Sequence, residues 1–568
     1  MKTRNKLYDK SRLRLLCLLT VLLGLFGAGQ TWAGNPTTLT VGGTDVLNGG
    51  YWTTDAESGT LTPDGASADN YNVHYDGNGT LTLKDATING TGTVSYVGAG
   101  IYAEGDLTIV LEGSSTVTGV QDPNGDSQSI RVSENLTIQG GGSLTAQGAE
   151  TSSGSSYGIF VIGSFTQQGG SVTASGGDVS GSYNSTGLYV YGSTVTVQGG
   201  TLTATGGTTG SGSYGISANG SVTVSDATVT AISGSAGYAS YGLYIGSSSP
   251  SVTLSGSSSL TARSESADRA GGIYVRNLLG SAGAVTVGDN STLLANSVIL
   301  YDNSFTEKPL APTGNGSWLI YGQSNQTSAV GGNYTLEENL TIENGNTLTI
   351  PAGSTLTVPE DKTLTVDKAN QLVVNGELVL EGTFDNATEL EGSGNLVLGE
   401  ITLTDDEGIG AYAGYHLKLK SKKVTYTRAL PVNSQYGTIC LPFVPTSVAG
   451  GQVTYYQVLE LESDEITLVE TDFEAGKPLF YQTSGTGSIT FSAESEAGVE
   501  LVTIPATDNF MVGTMSEVIP NAGYFLKNGN FYPIANGDKV KVKPFRAYVK
   551  GQNDASQASV MSVNVARP

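Results

Sequence analysis

The sequence predicts an all-β protein whose largest part is a right-handed parallel β-helix. The first observation is a repeat of about 28 residues, because one apolar position recurs with spacings of 29, 29, 29, 28, 27 and 30 residues. The second is strict alternation of apolar and polar residues within short runs, and the third is the Gly-rich corner between runs. The recurring apolar position is occupied by Ile101, Ile130, Ile159, Leu188, Ile216, Leu243 and Ile273.

One repeat, residues 187–214, shows how a coil is built. It separates into three alternating runs, which indicates three strands per turn, and each stacked coil adds ~4.8 Å along the axis. Val195 and Val197 share one face of the second run, and Leu202 and Ala204 share one face of the third. These side chains are predicted to form the core. About eight such coils fit within residues 71–300.

The first 33 residues have the pattern of a secretory signal peptide. Six basic residues precede an apolar run from Leu15 to Phe26, and Thr31-Trp32-Ala33 forms the cleavage site. Because the run is too short to span a bilayer, we expect export to the cell surface or the medium, with no transmembrane segment in the mature chain. Loss of these six basic residues and of Asp9 takes the net charge from −24 to −29, which disfavours nucleic acid and anionic membranes as partners.

The segments around the β-helix are predicted to differ in kind. Residues 34–70 are predicted to cap its open N-terminal edge, because an unpaired coil invites end-to-end association. Residues 301–333 are predicted to be a linker. In residues 334–410 a leucine recurs every eight residues and acidic residues greatly outnumber lysines, which indicates a short-repeat acidic β-solenoid, either separate from the β-helix or a continuation of it. Aromatic residues become frequent in residues 424–568, which we interpret as a separate C-terminal β-sandwich-like domain.

Two motifs near the start of the repeat resemble a known family. The phrase GIYAEGDLTI at residues 100–109 follows LTLKDATI at residues 81–88. Together they resemble the right-handed β-helix "carbohydrate-binding domain-containing" proteins of anaerobic gut and cellulolytic bacteria, over roughly residues 71–299. The resemblance implies polygalacturonate binding and bound calcium.

The C-terminal domain resembles modules that end many Bacteroidetes surface proteins. The motifs that carry this resemblance are YGTICLPF at residues 436–443, AGKP at 475–478, YFLKNGNFY at 524–532 and KPFRAY at 543–548. The resemblance implies export and surface display, and it implies no particular activity.

A column of side chains on the outside of the coils is the candidate glycan site. If the recurring apolar residues face the core, their C-terminal neighbours face solvent. We predict that aromatic rings there bind the apolar faces of sugars and that arginines pair with uronate carboxylates. The alternative is that stacked rings stabilise the solenoid without a ligand. The predicted glycan-binding residues are Tyr102, Arg131, Phe160, Tyr189, Tyr244, Tyr274 and the nearby Arg276.

Three tyrosines of the repeat share the parity of the core residues. They are Tyr157, Tyr214 and Tyr241, which we expect to pack at the corners of the coils.

A metal site is the second candidate. Asp122, Asn124 and Asp126 place three oxygen-bearing side chains at alternate positions of a long corner, which suits half of a calcium shell. An ordinary Asx turn is the alternative. No other cofactor is expected, so calcium is the one candidate.

Few residues are available for catalysis. His74 and His416, the two histidines, are about 340 residues apart, which disfavours a His-based metal site or a Ser-His-Asp triad. A β-helix polysaccharide lyase needs a cationic base beside a carboxylate cluster, and none of the basic residues in residues 71–300 lies in such a cluster. No catalytic residue is therefore predicted.

The sequence leads to one main functional hypothesis and two alternatives. The main hypothesis is an exported, monomeric, non-catalytic protein that binds acidic, uronate-rich polysaccharide with assistance from calcium. The first alternative is a surface adhesin or structural stalk with recognition in the C-terminal domain. The less favoured alternative is a polysaccharide lyase.

Overall fold

The structure is a computed structural model in which the described residues form only β-strands as regular elements. No helix among them is long and apolar enough to cross a membrane. The chain divides into two compact units, one ending at Gly314 and one spanning Asn315–Pro568. The predicted all-β class is confirmed. The structure describes residues 34–566 apart from 92–97, 122–124, 278–282, 302–305, 323–327, 343–345, 367–371, 387–389, 410–416, 431–434, 463, 507, 528, 536 and 552–559.

The first unit is a parallel β-solenoid in which each coil gives one strand to each of three sheets. Sheet A contains the parallel strands Ile101–Glu104, Ser127–Val132, Ser156–Val161, Ser185–Val190, Gly212–Ala218, Ala239–Ser247, Arg269–Asn277 and Val298–Tyr301. Sheet B contains Thr80–Lys84, Leu107–Glu112, Leu136–Gly140, Phe165–Gln167, Val195–Val197, Val222–Ser225, Ser251–Ser255 and Ala284–Val287. Sheet C contains Thr87–Asn89, Ser114–Thr118, Ser143–Gln147, Ser171–Ser175, Thr201–Thr205, Thr228–Ile232, Ser259–Arg263 and Thr292–Ala295.

Neighbouring coils stack in register, so one position of every coil faces the same way. Ile101 pairs with Ile130, and the same column continues from coil to coil as far as Ile273. These residues are fully buried, as are Val195 and Ala204 from the other two sheets. The predicted β-helix and its inward columns are therefore confirmed.

The N-terminal residues cover the first coil with antiparallel strands. Thr38–Val41 pairs with the first strand of sheet A and with Thr44–Asp45. In sheet B, Val73–Tyr75 pairs antiparallel with Thr80–Lys84, and it also pairs with Gly50–Thr54, which itself pairs with Leu61–Thr62. Parallel stacking in this sheet therefore begins at Thr80 and not at residue 71, where the first coil was predicted to begin.

The predicted linker contains strands. Glu307–Pro309 pairs antiparallel with Val298–Tyr301 and so covers the last strand of sheet A. In the second unit, Ser317–Ile320 pairs antiparallel with Ser328–Gly331. Much of residues 301–333 is therefore ordered by backbone pairing, which the sequence did not indicate.

A column of small residues precedes the buried apolar position in sheet A. Gly187 is one member, and a Cβ atom added there would lie 2.6 Å from the carbonyl oxygen of Ala174 and 2.8 Å from that of Gly215. Backbone atoms cannot yield as a flexible side chain can, so this close approach favours glycine at residue 187. Ser129 holds this place in another coil, where its hydroxyl donates to the carbonyl of Val117 at 2.7 Å.

The second unit begins with a smaller three-stranded solenoid. Leu340 pairs with Leu364 and Leu348 with Leu372, so one coil contains three of the eight-residue intervals. The leucines face inward and are buried. Its parallel strands are Asn333–Thr335, Leu340–Ile342, Leu348–Ile350, Thr355–Val358, Thr363–Val366, Leu372–Val374, Glu377–Leu380, Thr383–Asn386 and Asn395–Leu403.

The rest of the second unit is sandwich-like. Lys418–Ala429 pairs parallel with Asn395–Leu403 and antiparallel with Ser488–Leu501, so the boundary predicted at residue 424 falls inside a strand. Ser447–Ala449 extends this sheet along its other edge. A five-stranded sheet contains Tyr436–Ile439, Leu479–Thr483, Val453–Leu461, Glu465–Glu470 and Ser562–Val565. A four-stranded sheet contains Met511–Gly513, Ala547–Val549, Gly523–Lys527 and Asn530–Ile534.

One buried apolar cluster joins the five-stranded and four-stranded sheets. Ile466, Leu468 and Phe480 from the first pack with Phe531 and Val549 from the second. Burial of apolar side chains from two facing sheets is the stabilising arrangement of a sandwich.

The glycine column leads to a stability prediction. Gly187→Val should lower the free energy of unfolding by about 1–3 kcal/mol or more, because the added methyl groups overlap backbone atoms. The matched control is Gly141→Val, since nothing lies within 4 Å of a Cβ atom at that corner position. Thermal unfolding followed by circular dichroism measures both, and equal midpoints for the two variants would contradict the close packing at Gly187.

Candidate functional site

The outer side of sheet A carries aromatic side chains on consecutive coils, and we call this surface the aromatic face. Its first column consists of the residues that follow the buried Ile/Leu position. Register pairing places them on adjacent strands, so they form one line along the solenoid. The column contains Tyr102, Arg131, Phe160, Tyr189, Ser217, Tyr244 and Tyr274.

A second column of the aromatic face runs beside the first. Tyr157 and Phe160 both point outward, with ring centroids 5.1 Å apart, although the two residues between them, Gly158 and Ile159, are both buried. Two consecutive inward residues break the strict alternation, as in a β-bulge. The expectation that Tyr157 and its equivalents pack at corners is therefore wrong. The second column contains Gln128, Tyr157, Thr186, Tyr214 and Tyr241.

The sequence contains a signal for this second column that simple alternation overlooks. The triplet Tyr-Gly-Ile/Leu occurs at residues 157–159, 214–216 and 241–243. A glycine inside a strand pattern often marks a bulge, which reverses the parity of the residues before it.

Ring contacts divide the aromatic face into two groups. The first, the Tyr189 cluster, consists of Tyr157, Phe160, Tyr189 and Tyr191. Phe160 and Tyr189 come from consecutive coils, and their ring centroids are 5.1 Å apart. Tyr189 lies in the strand Ser185–Val190 and Tyr191 directly follows that strand, with their ring centroids 6.4 Å apart. Tyr191 is 57% exposed, whereas Phe160 and Tyr189 are half-buried, so this cluster is open to solvent.

The second group, the Tyr244 cluster, consists of Tyr214, Tyr241, Tyr244, Tyr274 and Tyr301. Its rings stack closely, with centroids 4.3 Å apart for Tyr241 and Tyr274 and 5.8 Å apart for Tyr244 and Tyr274. Tyr241 and Tyr274 are almost fully buried, at 3% and 4% exposure. Ser217, also buried, stands in the first column between the two clusters.

Tyr274 differs from its prediction as a solvent-facing residue. Its hydroxyl donates to Oε1 of Glu307 at 3.2 Å, and the strand containing Glu307 lies against the last strand of sheet A. Neighbouring rings and this added strand cover Tyr274, so it supports the cluster from beneath and does not offer a ring to solvent.

Tyr102 lies at the other end of the first column. It pairs with Thr40 of the N-terminal covering strand, and its hydroxyl donates to Oε1 of Glu104 at 2.6 Å. The other oxygen of Glu104 accepts from the Thr38 hydroxyl at 2.8 Å. Tyr102 is half-buried and is tied to the covering strand through Glu104.

Both predicted arginines lie beside aromatic rings. The guanidinium carbon of Arg131 is 4.7 Å from the Phe160 ring centroid, and Nη1 donates to Oε1 of Gln128 at 3.2 Å. Arg276 is placed 6.0 Å from the ring centroid of Tyr301. Cation–π contact of this kind holds a guanidinium over a ring while its edge stays available for hydrogen bonding.

Burial keeps the tyrosine hydroxyls protonated. Desolvation raises the pKa of Tyr189 to about 12 and that of Tyr214 to about 12, and neighbouring tyrosines contribute in the same direction. Desolvation also raises the pKa of Tyr241 and of Tyr274, the latter with a contribution from Glu307. The hydroxyls of Tyr189, Tyr214, Tyr241 and Tyr274 therefore stay protonated over a wider pH range than a free tyrosine.

The predicted metal residues are described only in part. Asp122 and Asn124 lie outside the described residues. Oδ1 of Asp126 accepts from the backbone N–H of Ser155 on the next coil at 2.7 Å. Asp106 accepts in the same way from Asn135 N–H at 2.9 Å, so these carboxylates satisfy backbone donors at corners. In the described part of the chain, no group of three or more His, Cys, Asp or Glu side chains could hold a metal ion.

Comparison with known proteins gives weak similarities. No protein-family model matches the chain, and no curated protein matches it. A solved structure of the tailspike protein of E. coli bacteriophage HK620 in complex with a pentasaccharide is 13% identical, with 75% of this chain and 87% of that chain covered and a TM-score of 0.24. A double mutant of the same tailspike protein is 12% identical with the same coverage and a TM-score of 0.22. These similarities carry no functional argument, and the solenoid fold rests on the strand pairing itself.

The raised tyrosine pKa values predict an alkaline loss of stability. A raised folded-state pKa means that the folded protein favours the neutral phenol, so this stability is complete below the unfolded pKa of about 10 and is lost as the pH rises through about 12. Tyr189→Phe keeps the ring and removes the ionisable hydroxyl group. The thermal unfolding midpoint of this variant should therefore fall less than that of the parent protein between pH 10 and about 12.

The matched control for this pH series is Tyr183→Phe, because Tyr183 is exposed and lies outside both clusters. It should follow the parent protein. Thermal midpoints are measured for all three proteins across the alkaline range. A Tyr189→Phe midpoint that falls as steeply as that of the parent protein would show that the pKa of Tyr189 is not raised by burial.

Proposed function

We propose that this protein is an exported, non-catalytic polysaccharide-binding protein that holds an extended acidic glycan along the aromatic face. The observation that carries the proposal is the Tyr189 cluster, in which Phe160 and Tyr189 follow each other on consecutive coils with ring centroids 5.1 Å apart. The rise of a solenoid coil, ~4.8 Å, is close to the length of one sugar residue in an extended chain. A glycan aligned with the solenoid axis meets a similar position at each coil.

The rings supply the apolar part of recognition. The C–H face of a pyranose ring packs on an aromatic ring and removes apolar surface of both from water. Tyr191 is the most exposed ring of the cluster, and Tyr189 beside it is half-buried. The two rings therefore offer adjacent apolar surfaces to a sugar. Their hydroxyls add hydrogen-bond donors and acceptors for sugar hydroxyls.

Arg131 supplies the preference for acidic sugars. The chain as a whole has a net charge of −24, so an acidic polymer is repelled unless a cation meets it locally. The guanidinium of Arg131 lies over Phe160 at the edge of the Tyr189 cluster, where it can pair with the carboxylate of a uronate whose ring contacts Tyr189. Calcium bound by the predicted residues Asp122, Asn124 and Asp126 would add a second counter-charge.

A second candidate function is a surface adhesin or stalk with recognition in the Asn315–Pro568 unit. The observation that favours it is a basic cavity of about 430 Å³ in that unit. In this case the aromatic face stabilises stacked coils and binds no glycan. A lyase is the third candidate and predicts cleavage of polygalacturonate, which release of unsaturated product measures directly.

Native gels cast with glycans test the proposed function. The protein is run in gels containing polygalacturonate or a neutral glucan, each with calcium or with a chelator. Retardation in the polygalacturonate gel and much less in the glucan gel is expected, and its loss with chelator assigns a role to calcium. Equal migration in every gel would contradict glycan binding.

Replacing a ring of the Tyr189 cluster separates binding from stability. Tyr189→Ala and Tyr191→Ala should each weaken polygalacturonate binding about fivefold to tenfold, the size of one lost aromatic contact. Tyr183→Ala is the matched control, since it removes an exposed tyrosine, 46% accessible, outside the cluster. Circular dichroism verifies that each variant is folded. Unchanged binding by a folded Tyr189→Ala and Tyr191→Ala pair would show that the rings serve only the solenoid.

A further inference from the structure

The second unit contains a cavity whose lining is basic in an otherwise acidic protein. Its volume is about 430 Å³, and it is bounded by the end of the strand Lys418–Ala429, by the edge strand Tyr436–Ile439 and by the four-stranded sheet. Five basic side chains line it, whereas the chain as a whole carries 51 acidic against 27 basic residues. The basic lining residues are Arg428, Lys527, Lys541, Lys543 and Arg546.

Acidic neighbours neutralise three of these five charges. Asp405 pairs with Arg546 at 2.5 Å, Glu517 with Lys541 at 2.7 Å and Asp406 with Lys543 at 3.1 Å. No carboxylate within the described residues forms an ion pair with Arg428 or Lys527. The cavity therefore keeps an excess of positive charge.

Arg428 is the buried cation at the inner end of this arrangement. It is 5% exposed, and its guanidinium is held by a hydrogen bond from Nη1 to the carbonyl oxygen of Thr438 at 2.6 Å and by the Tyr481 ring at 5.1 Å. Its Nε has no hydrogen-bond partner, and the Nε of Arg546 also has none. Burial and the nearby Arg546 lower the pKa of Arg428.

A buried, incompletely paired cation is costly unless an anion approaches it. A guanidinium without a carboxylate partner, such as that of Arg428, can bind a carboxylate or phosphate through its N–H donors. Tyr436 and Phe525 also line the cavity, and both rings are partly accessible. The lining thus combines a cationic wall with apolar ring surface.

We propose that this cavity is a binding site for one anionic sugar residue, whose carboxylate is held by Arg428 and whose apolar face packs on Tyr436 or Phe525. Lys527, exposed at the rim, adds long-range attraction for the anion. The site lies in the Asn315–Pro568 unit, so it does not rest on glycan binding by the aromatic face. A free acidic monosaccharide and the end of an acidic polymer present the same chemistry to it.

Calorimetric titration of the protein with galacturonate, galactose and inorganic phosphate tests the site. Galacturonate should bind at least tenfold more tightly than galactose, because galactose leaves the Arg428 guanidinium without an anion. Equal affinity for galactose would overturn the role of the cationic wall. Binding of phosphate without binding of galacturonate would overturn the assignment to a sugar.

Charge-reversal variants locate the site. Lys527→Glu should weaken galacturonate binding about fivefold or more, since it replaces attraction by repulsion at the rim. Lys418→Glu makes the same charge change at an exposed residue outside the cavity lining and should leave affinity unchanged; equal weakening by both would overturn the location. Arg428→Gln, verified as folded by circular dichroism, should reduce binding at least tenfold.

The two sites can be separated with one further variant. Tyr189→Ala should leave galacturonate binding by the cavity unchanged while it weakens polygalacturonate binding by the aromatic face. Loss of monosaccharide binding in Tyr189→Ala would place that binding on the aromatic face and overturn the cavity proposal.

Discussion

In-register stacking of coils is the constraint on which the first unit depends. Each strand of sheets A, B and C pairs with the equivalent strand one coil away, so every backbone position is repeated along the axis. A side chain that faces the interior in one coil must therefore pack against the side chains at the equivalent position of the coils on either side. This explains the unbroken Ile/Leu column of sheet A and the alanine column that contains Ala146, Ala174 and Ala204 in sheet C. It also explains why Gly187 is favoured where backbones approach closely.

The same constraint produces the aromatic face. Once Phe160 and Tyr189 occupy equivalent positions, stacking fixes their rings one coil apart without any ligand. The two rings then pack on each other, and burial raises the pKa of Tyr189, so stability and recognition share the same side chains. The Tyr189 cluster is open to solvent and can bind a glycan, whereas the Tyr244 cluster is covered and stabilises the solenoid. Tyr274 is buried and hydrogen-bonded to Glu307, so its ring packs only against neighbouring tyrosines. Tyr191 is exposed, so its ring is available to contact a glycan.

Most of the solenoid could be predicted from sequence because its contacts repeat at a fixed interval. The inward columns, the first outward column and the eight-residue leucine repeat of the smaller solenoid all follow from spacing and alternation. The second aromatic column could not be predicted by parity, because consecutive inward residues such as Gly158 and Ile159 shift it. Burial of Tyr274 depends on a strand in the predicted linker. The basic cavity escaped notice because Arg428 and Arg546 are distant in sequence and belong to a part of the chain with no repeat.

The most direct test of the account is a crystal structure of the protein soaked with an oligogalacturonate longer than four residues. The account predicts an extended chain parallel to the solenoid axis, with a sugar ring packed on Tyr189 or Tyr191 and a carboxylate beside Arg131. An oligosaccharide that occupies the surface of sheet B or C, with the Tyr189 cluster exposed to solvent, would contradict it.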